Sequence, residues 1–215
     1  MSGYMLRTIM IRRKEGQMVS TWFLWAFFTL IFCLFISRIF YVIFDFFLTK
    51  FDMNTYYIAP NYWYWKLGNL FSGLGLTYMV FALDRRLLQF KLKGIVELFM
   101  IGGLIAVMLY PINSMDDFNF VSILYVIPLF GIVVLPAIFI KIARQSTGDL
   151  RKISFSIIFG ILLYSIASFA VNAAIVIEIN EAAGKSMDVL LYFIQSIFKV
   201  IGIIMIAYGA SKFQF

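Results

Sequence analysis

Six long apolar stretches dominate this sequence. Each contains few charged residues. Each is about as long as, or close to, the roughly 20 residues that a helix needs to cross a hydrocarbon layer of about 30 Å. Open sheet edges cannot be satisfied in lipid, and the alternating pattern of barrel strands is absent, so the stretches predict helices. The predicted spans are residues 21–44, 62–83, 94–110, 120–140, 153–177 and 189–210.

The composition points to the same class of protein. Apolar residues make up 63% of the 215 residues and charged residues 13%. In soluble domains, about 45–50% of the residues are apolar and about 25% are charged. The connections between the stretches are too short to fold as separate domains. The sequence therefore predicts an all-α polytopic membrane helix bundle of six transmembrane helices, which forms a single transmembrane domain over residues 1–215.

Positively charged residues fall mostly on one side of the predicted bundle. Cytoplasmic loops of membrane proteins are enriched in Lys and Arg. Outer segments hold three basic residues, Lys50, Lys66 and Lys185, and two more, Arg38 and Lys199, lie within spans. If the N-terminus is inside, inner segments hold the other thirteen, which are Arg7, Arg12, Arg13, Lys14, Arg85, Arg86, Lys91, Lys93, Lys141, Arg144, Arg151, Lys152 and Lys212.

This distribution predicts a protein of the cell membrane with both termini in the cytoplasm. The basic N-terminal segment, residues 1–19, then lies on the inner side. The formal net charge of +7 reflects this topology. We therefore expect the basic residues to face the lipid bilayer, and we expect no nucleic acid as a partner.

The residues that most enzymes need are missing from the sequence. The chain has no histidine and a single cysteine, Cys33. This removes histidine-ligated metals, histidine acid–base chemistry and intrachain disulfides. No phosphate-binding loop, dinucleotide-binding motif or zinc-protease motif is present. We therefore expect no enzyme activity, no catalytic residue, no cofactor and no metal.

A polar stripe runs along the sixth predicted span. Tyr192, Gln195 and Lys199 lie at positions i, i+3 and i+7, on one helical face, with Lys199 near the middle of the span. Ionisable residues inside a membrane are costly and mark functional sites by default. With Asn172 of the fifth span, these residues form the candidate ligand-binding site. The alternative is a structural lysine that snorkels or pairs with a carboxylate.

Other ionisable residues within the spans are candidates for in-membrane ion pairs. Arg38 lies seven residues before Asp45 on the same face of the first span, and Glu178 is a second candidate partner. Glu97 lies near the inner end of the third span, where Lys199 or the Arg85–Arg86 pair is a candidate partner. The alternative for Glu97 is a carboxylate at the membrane interface.

Glycine and proline residues predict how the helices contact each other and bend. Gly160 in the fifth span, with Gly202 and Gly209 in the sixth, predict close helix contacts of the small-residue type. Pro128 and Pro136 predict kinks in the fourth span.

Two segments resemble known membrane proteins. Residues 135–152, LPAIFIKIARQSTGDLRK, followed by IFGILL at 158–163, resemble a region of orphan archaeal multi-pass membrane proteins and the membrane regions of archaeal sensor histidine kinases. The segment from LDRR at 83–86 to KLK at 91–93 is similar to their first basic inner loop. The resemblance implies a stand-alone sensor-like or partner-binding membrane module, and it transfers no site residue.

Two functional hypotheses stay open at this point. The first is a non-catalytic sensor-like or scaffold subunit in signal transduction. It would act through a protein partner or a homo-oligomer in the membrane, contacted by the basic segments 85–93 and 141–152. The second is a small-molecule transporter or substrate-binding membrane subunit with a polar site near Lys199.

Overall fold

The computed structural model describes residues 18–169, residue 179 and residues 188–212. All regular secondary structure in these ranges is helical, which confirms the predicted all-helical class. A π-helical turn, Ile43–Leu48, continues the first helix, and Met53–Thr55 and Pro128–Phe130 are short 3₁₀ segments. The α-helices are α1 (Met18–Val42), α2 (Asn61–Arg86), α3 (Ile95–Leu109), α4 (Met115–Leu124), α5 (Gly131–Gln145), α6 (Gly148–Phe169) and α7 (Asp188–Lys212).

Four helical segments are long and apolar enough to cross a membrane. They are Trp22–Leu48, Met115–Gln145, Gly148–Ser168 and Phe193–Lys212. Helix α3 is apolar but has only 15 residues, whereas α2 has 26 residues and too many polar side chains to belong to this group. The helices therefore support a membrane protein, while six spans and cytoplasmic termini stay predictions. Most of the basic segment 1–19 lies outside the described residues.

The described chain packs as two compact units, residues 18–133 and residues 134–212. In the first unit, α2 packs along α1 and against α3. A Cβ atom added at Gly75 of α2 would lie 2.8 Å from the Cβ of Cys33 in α1, so only glycine permits this approach. The prediction of a single transmembrane domain over residues 1–215 stays a prediction.

The two prolines of the predicted fourth span act differently. Pro128 begins the 3₁₀ turn that separates α4 from α5, because proline cannot donate the backbone hydrogen bond that a continuous helix needs. A Cβ atom added at Gly103 of α3 would lie 2.8 Å from the Cδ of Pro128. Pro136 lies inside α5 without ending it. The sequence predicts two kinks, and at Pro128 the structure has a break between α4 and α5.

In the second unit, α6 and α7 pack through small residues. A Cβ atom added at Gly160 would lie 2.7 Å from the carbonyl oxygen of Gly202, and one added at Gly202 would lie 2.7 Å from the carbonyl oxygen of Gly160. The hydroxyl of Ser156 donates a hydrogen bond to the carbonyl oxygen of Met205 at 3.1 Å. The predicted close contact between these helices is confirmed.

Candidate functional site

The polar stripe of α7 includes the buried side chain of Gln195 and Lys199, which lies against α6. The side chain of Gln195 is only 1% exposed. Its amide oxygen and nitrogen have no hydrogen-bond partner in the part of the chain that the structure describes. One turn further along α7, the ammonium of Lys199 lies 5.8 Å from the ring centroid of Tyr164 in α6. Sequence reasoning missed Tyr164, since only the packing of α6 on α7 brings it to Lys199.

The unpaired amide of Gln195 can hydrogen-bond to a bound molecule. An unpaired amide buried in apolar surroundings costs about 1–3 kcal/mol relative to a hydrogen-bonded one. A molecule that accepts from the amide nitrogen of Gln195 and donates to its oxygen would remove that cost. The positive charge of Lys199 nearby favours an anionic or electron-rich group at the same place.

The other predicted members of this site are only partly visible. Tyr192 lies on α7, one turn before Gln195, but its side chain is outside the described part. Asn172 and Glu178 also lie outside the described residues. Of the four predicted ligand-binding residues, the structure thus brings Gln195 and Lys199 to one helical face.

The predicted partners Arg38 and Asp45 lie on and just after α1. Arg38 is half-buried, and Asp45 belongs to the π-helical turn Ile43–Leu48. Within the described ranges, the Nζ of Lys152 lies 4.0 Å from a carboxylate oxygen of Asp149, and this ion pair is on the exposed start of α6. The pairing of Arg38 with Asp45 stays a prediction.

Tyr56, in the connection between α1 and α2, lies close enough to two carboxylates to interact with them electrostatically. Burial, together with the charges of Asp45 and Asp52, raises the pKa of Tyr56 to about 12. Both effects penalise the phenolate, because burial removes hydration and the carboxylates repel a second negative charge.

Lys66 is buried inside α2, although its sequence position predicts an outer segment. It is 1% exposed, and its ammonium donates to the carbonyl oxygens of Met108 at 3.2 Å and Tyr110 at 2.6 Å. The same ammonium lies 5.5 Å and 5.1 Å from the ring centroids of Tyr62 and Trp63. A cation here satisfies carbonyls at the end of α3 and complements the negative end of that helix.

A group of hydrogen bonds lies further along α2, around Asn69 and Ser72. The hydroxyl of Tyr41 donates to the side-chain oxygen of Asn69. The hydroxyls of Tyr125 and Ser72 lie 2.6 Å apart, and Tyr125 also donates to the carbonyl oxygen of Asn69 at 3.2 Å. The spacing of Lys66, Asn69 and Ser72, three residues apart, is the sequence signal that could have revealed this polar stripe.

Asp84 organises the loop between α2 and α3. It is fully buried, and its carboxylate accepts hydrogen bonds from the backbone N–H of Leu92 at 2.9 Å and of Gly94 at 3.4 Å. The loop needs this support because four of its residues have a positive φ between 52° and 70°, namely Gln89, Phe90, Lys93 and Gly94. Four basic side chains are exposed here: Arg85, Arg86, Lys91 and Lys93.

Glu97 lies in the first turn of α3, just beyond this loop. It is 4% exposed. Neither oxygen of its carboxyl group has a hydrogen-bond partner among the residues that the structure describes. The charge of Asp84 acts on it as a like charge.

The described residues contain no group of three or more Cys, His, Asp or Glu side chains that could hold a metal ion. The resemblance of residues 135–152 to archaeal membrane proteins and sensor kinases stays a prediction, since no family model, curated protein or solved structure matches this chain.

Proposed function

We propose that this chain is a multi-pass membrane protein without catalytic activity that binds a small polar or anionic molecule between α6 and α7. In this proposal it acts as a sensor-like or substrate-binding subunit. The site consists of Gln195 and Lys199, with Tyr192 and Asn172 as the further predicted members. The distribution of basic residues supports six spans with both termini in the cytoplasm.

The buried amide of Gln195 carries this proposal. A lysine with a purely structural role would snorkel or stack on an aromatic ring, and Lys199 does lie over Tyr164. That role gives no reason for an amide one turn away to be 1% exposed with both polar atoms unpartnered among the described residues. Membrane-embedded polar groups usually find a partner, and a bound molecule would provide one.

The chemistry of the two side chains limits what can bind. The amide of Gln195 offers two donors and one acceptor, while the ammonium of Lys199 offers donors and a positive charge. A molecule with a carboxylate or phosphate next to a hydroxyl or amide group would match both. An entirely apolar molecule would leave the amide unpaired, so lipid tails do not fit this site.

Native mass spectrometry of the purified protein in lipid nanodiscs tests the proposal. We expect wild-type protein to retain a non-covalent small molecule, and Lys199→Met and Gln195→Leu to lose it. The control Lys152→Met removes an exposed lysine at the start of α6 and should retain the molecule. No retained mass in the wild type, or equal retention in all variants, would contradict the proposed site.

A second candidate function, a scaffold subunit that acts through a protein partner, is favoured by the loop after α2. Of the four exposed basic side chains, Arg85 and Arg86 end α2, and Lys91 and Lys93 lie in the loop whose backbone Asp84 binds. A fixed cluster of positive charges is suited to an acidic partner surface. Arg85→Glu with Lys91→Glu should remove a co-purifying partner without preventing membrane insertion, while Lys50→Glu should not. Co-purification that survives the charge reversal would reject this function.

A further inference from the structure

Glu97 is a buried carboxyl group that neither proposed function uses. It lies in α3, a helix whose other residues are all apolar. Its side chain is 4% exposed, and both carboxyl oxygens lack a hydrogen-bond partner within the described part of the chain. An ionised carboxylate in such a place would lose its hydration, and no other side chain in the described part of the chain donates to it in return.

The charged groups on the elements that pack against α3 do not compensate a negative charge on Glu97. On α2, Asp84 repels it, whereas Lys66 lies at the opposite end of α3, bonded to the carbonyls of Met108 and Tyr110. On α4, the ionisable residues are Asp116 and Asp117 in its first turn. The 3₁₀ turn Pro128–Phe130 has no ionisable side chain.

The preceding loop does not supply a partner either. Its basic side chains are exposed, and the described ion pair of the chain does not involve them. The carboxylate of Asp84 accepts from the backbone N–H groups of Leu92 and Gly94, so it offers Glu97 no donor. Burial and the Asp84 carboxylate therefore favour the neutral form of Glu97, and among the described groups only its own backbone N–H, in the first turn of α3, favours the ionised form.

We propose that Glu97 is a proton-binding site within the helix bundle. The carboxyl group holds one proton as a neutral acid and can release that proton only when its surroundings admit water or a cation. This takes the place of the ion pair predicted for Glu97. Ionisable residues inside membranes that bind a proton in this way form the proton sites of many transport proteins.

A hydrophobic carbodiimide tests the proposal, because it modifies protonated carboxyl groups in apolar surroundings. The protein in nanodiscs is treated with dicyclohexylcarbodiimide at several pH values and analysed by intact mass and peptide mapping. We expect one modified carboxyl, Glu97, with labelling that falls at least tenfold as the pH rises to strongly alkaline values. The Glu97→Gln variant should not be labelled, and the matched variant Asp149→Asn should be labelled as the wild type is.

Three outcomes would overturn the proposal. The first is a wild-type Glu97 that stays unlabelled at every pH. The second is equal labelling by a water-soluble carbodiimide, which would mean an exposed carboxylate. The third is protection by sodium chloride but not choline chloride at constant pH, which would mean a sodium site. A glutamine resembles a protonated glutamate in shape and polarity, so Glu97→Gln should also melt within about 2 °C of the wild type; a larger loss would contradict a neutral Glu97.

Discussion

Substitution of Gly160 by alanine should push α6 and α7 apart. The added Cβ would lie 2.7 Å from the carbonyl oxygen of Gly202 and 2.9 Å from the backbone nitrogen of Ile206. Ordinary van der Waals contact begins at 3.4 Å, so the backbones must separate by about 0.7 Å at this point. A third obstructing atom, the Cγ1 of Ile206 at 2.8 Å, can move with its side chain, but the two backbone atoms cannot rotate away to make room.

The expected loss of stability follows from this geometry. Overpacking of a close contact costs about 1–3 kcal/mol. Alanine recovers about 0.5–1 kcal/mol because it is a better helix residue than glycine. The net loss for Gly160→Ala is therefore at most about 2.5 kcal/mol, with a midpoint of about 1.3 kcal/mol, and the midpoint corresponds to roughly 3–5 °C in melting temperature for a chain of this size.

Thermal unfolding of the protein in one defined detergent measures this effect. Gly102→Ala is the matched control, because a Cβ added there meets nothing within 4 Å, and it should keep or slightly raise the melting temperature. The double variant with Gly202→Ala should lose less than the sum of the two single losses, since the separated helices already accommodate the second methyl group. A Gly160→Ala protein that behaves like Gly102→Ala would refute the packing described for α6 and α7.

Three further predictions concern the first unit. Lys66→Met should destabilise the protein by about 1–3 kcal/mol, because two carbonyls at the end of α3 lose their donor, and Lys50→Met should cost less than about 0.5 kcal/mol in the same melting experiment. Asp84→Ala should speed amide exchange at Leu92 at least tenfold, as measured by hydrogen–deuterium exchange, and unchanged exchange would contradict the role of its carboxylate. The absorbance difference between wild type and Tyr56→Phe should show a phenolate forming near pH 12 and not near pH 10. Since the folded pKa of Tyr56 exceeds the unfolded value, its contribution to stability is complete below about pH 10 and is lost as the pH rises through about 12.

Hydrophobic length predicted the helices well, because backbone groups in an apolar stretch are satisfied most simply by helical hydrogen bonds. Every predicted span corresponds to helix in the described ranges, with ends that differ by several residues. The predicted fourth span begins five residues later than α4, whose start is set by a capping box at Ser114 and Asp117. Pro128 interrupts the same span, whereas Pro136 is accommodated inside α5.

The polar interior was harder to predict than the helices. Gln195 and Lys199 could be placed on one face from their spacing alone. Lys66 could not be placed in this way, because its partners are carbonyls more than 40 residues away at the end of another helix. The roles of Asp84 and Tyr164 likewise depend on how a loop folds back and how two helices pack. Periodicity shows which residues share a face, but tertiary contacts decide what that face meets.

An experimental density map of the protein purified in nanodiscs from its native membrane tests the central proposal most directly. We predict non-protein density within hydrogen-bond distance of the Gln195 amide, on the side of Lys199, and its loss in a map of Gln195→Leu. A map in which protein side chains alone satisfy that amide would contradict a ligand site between α6 and α7.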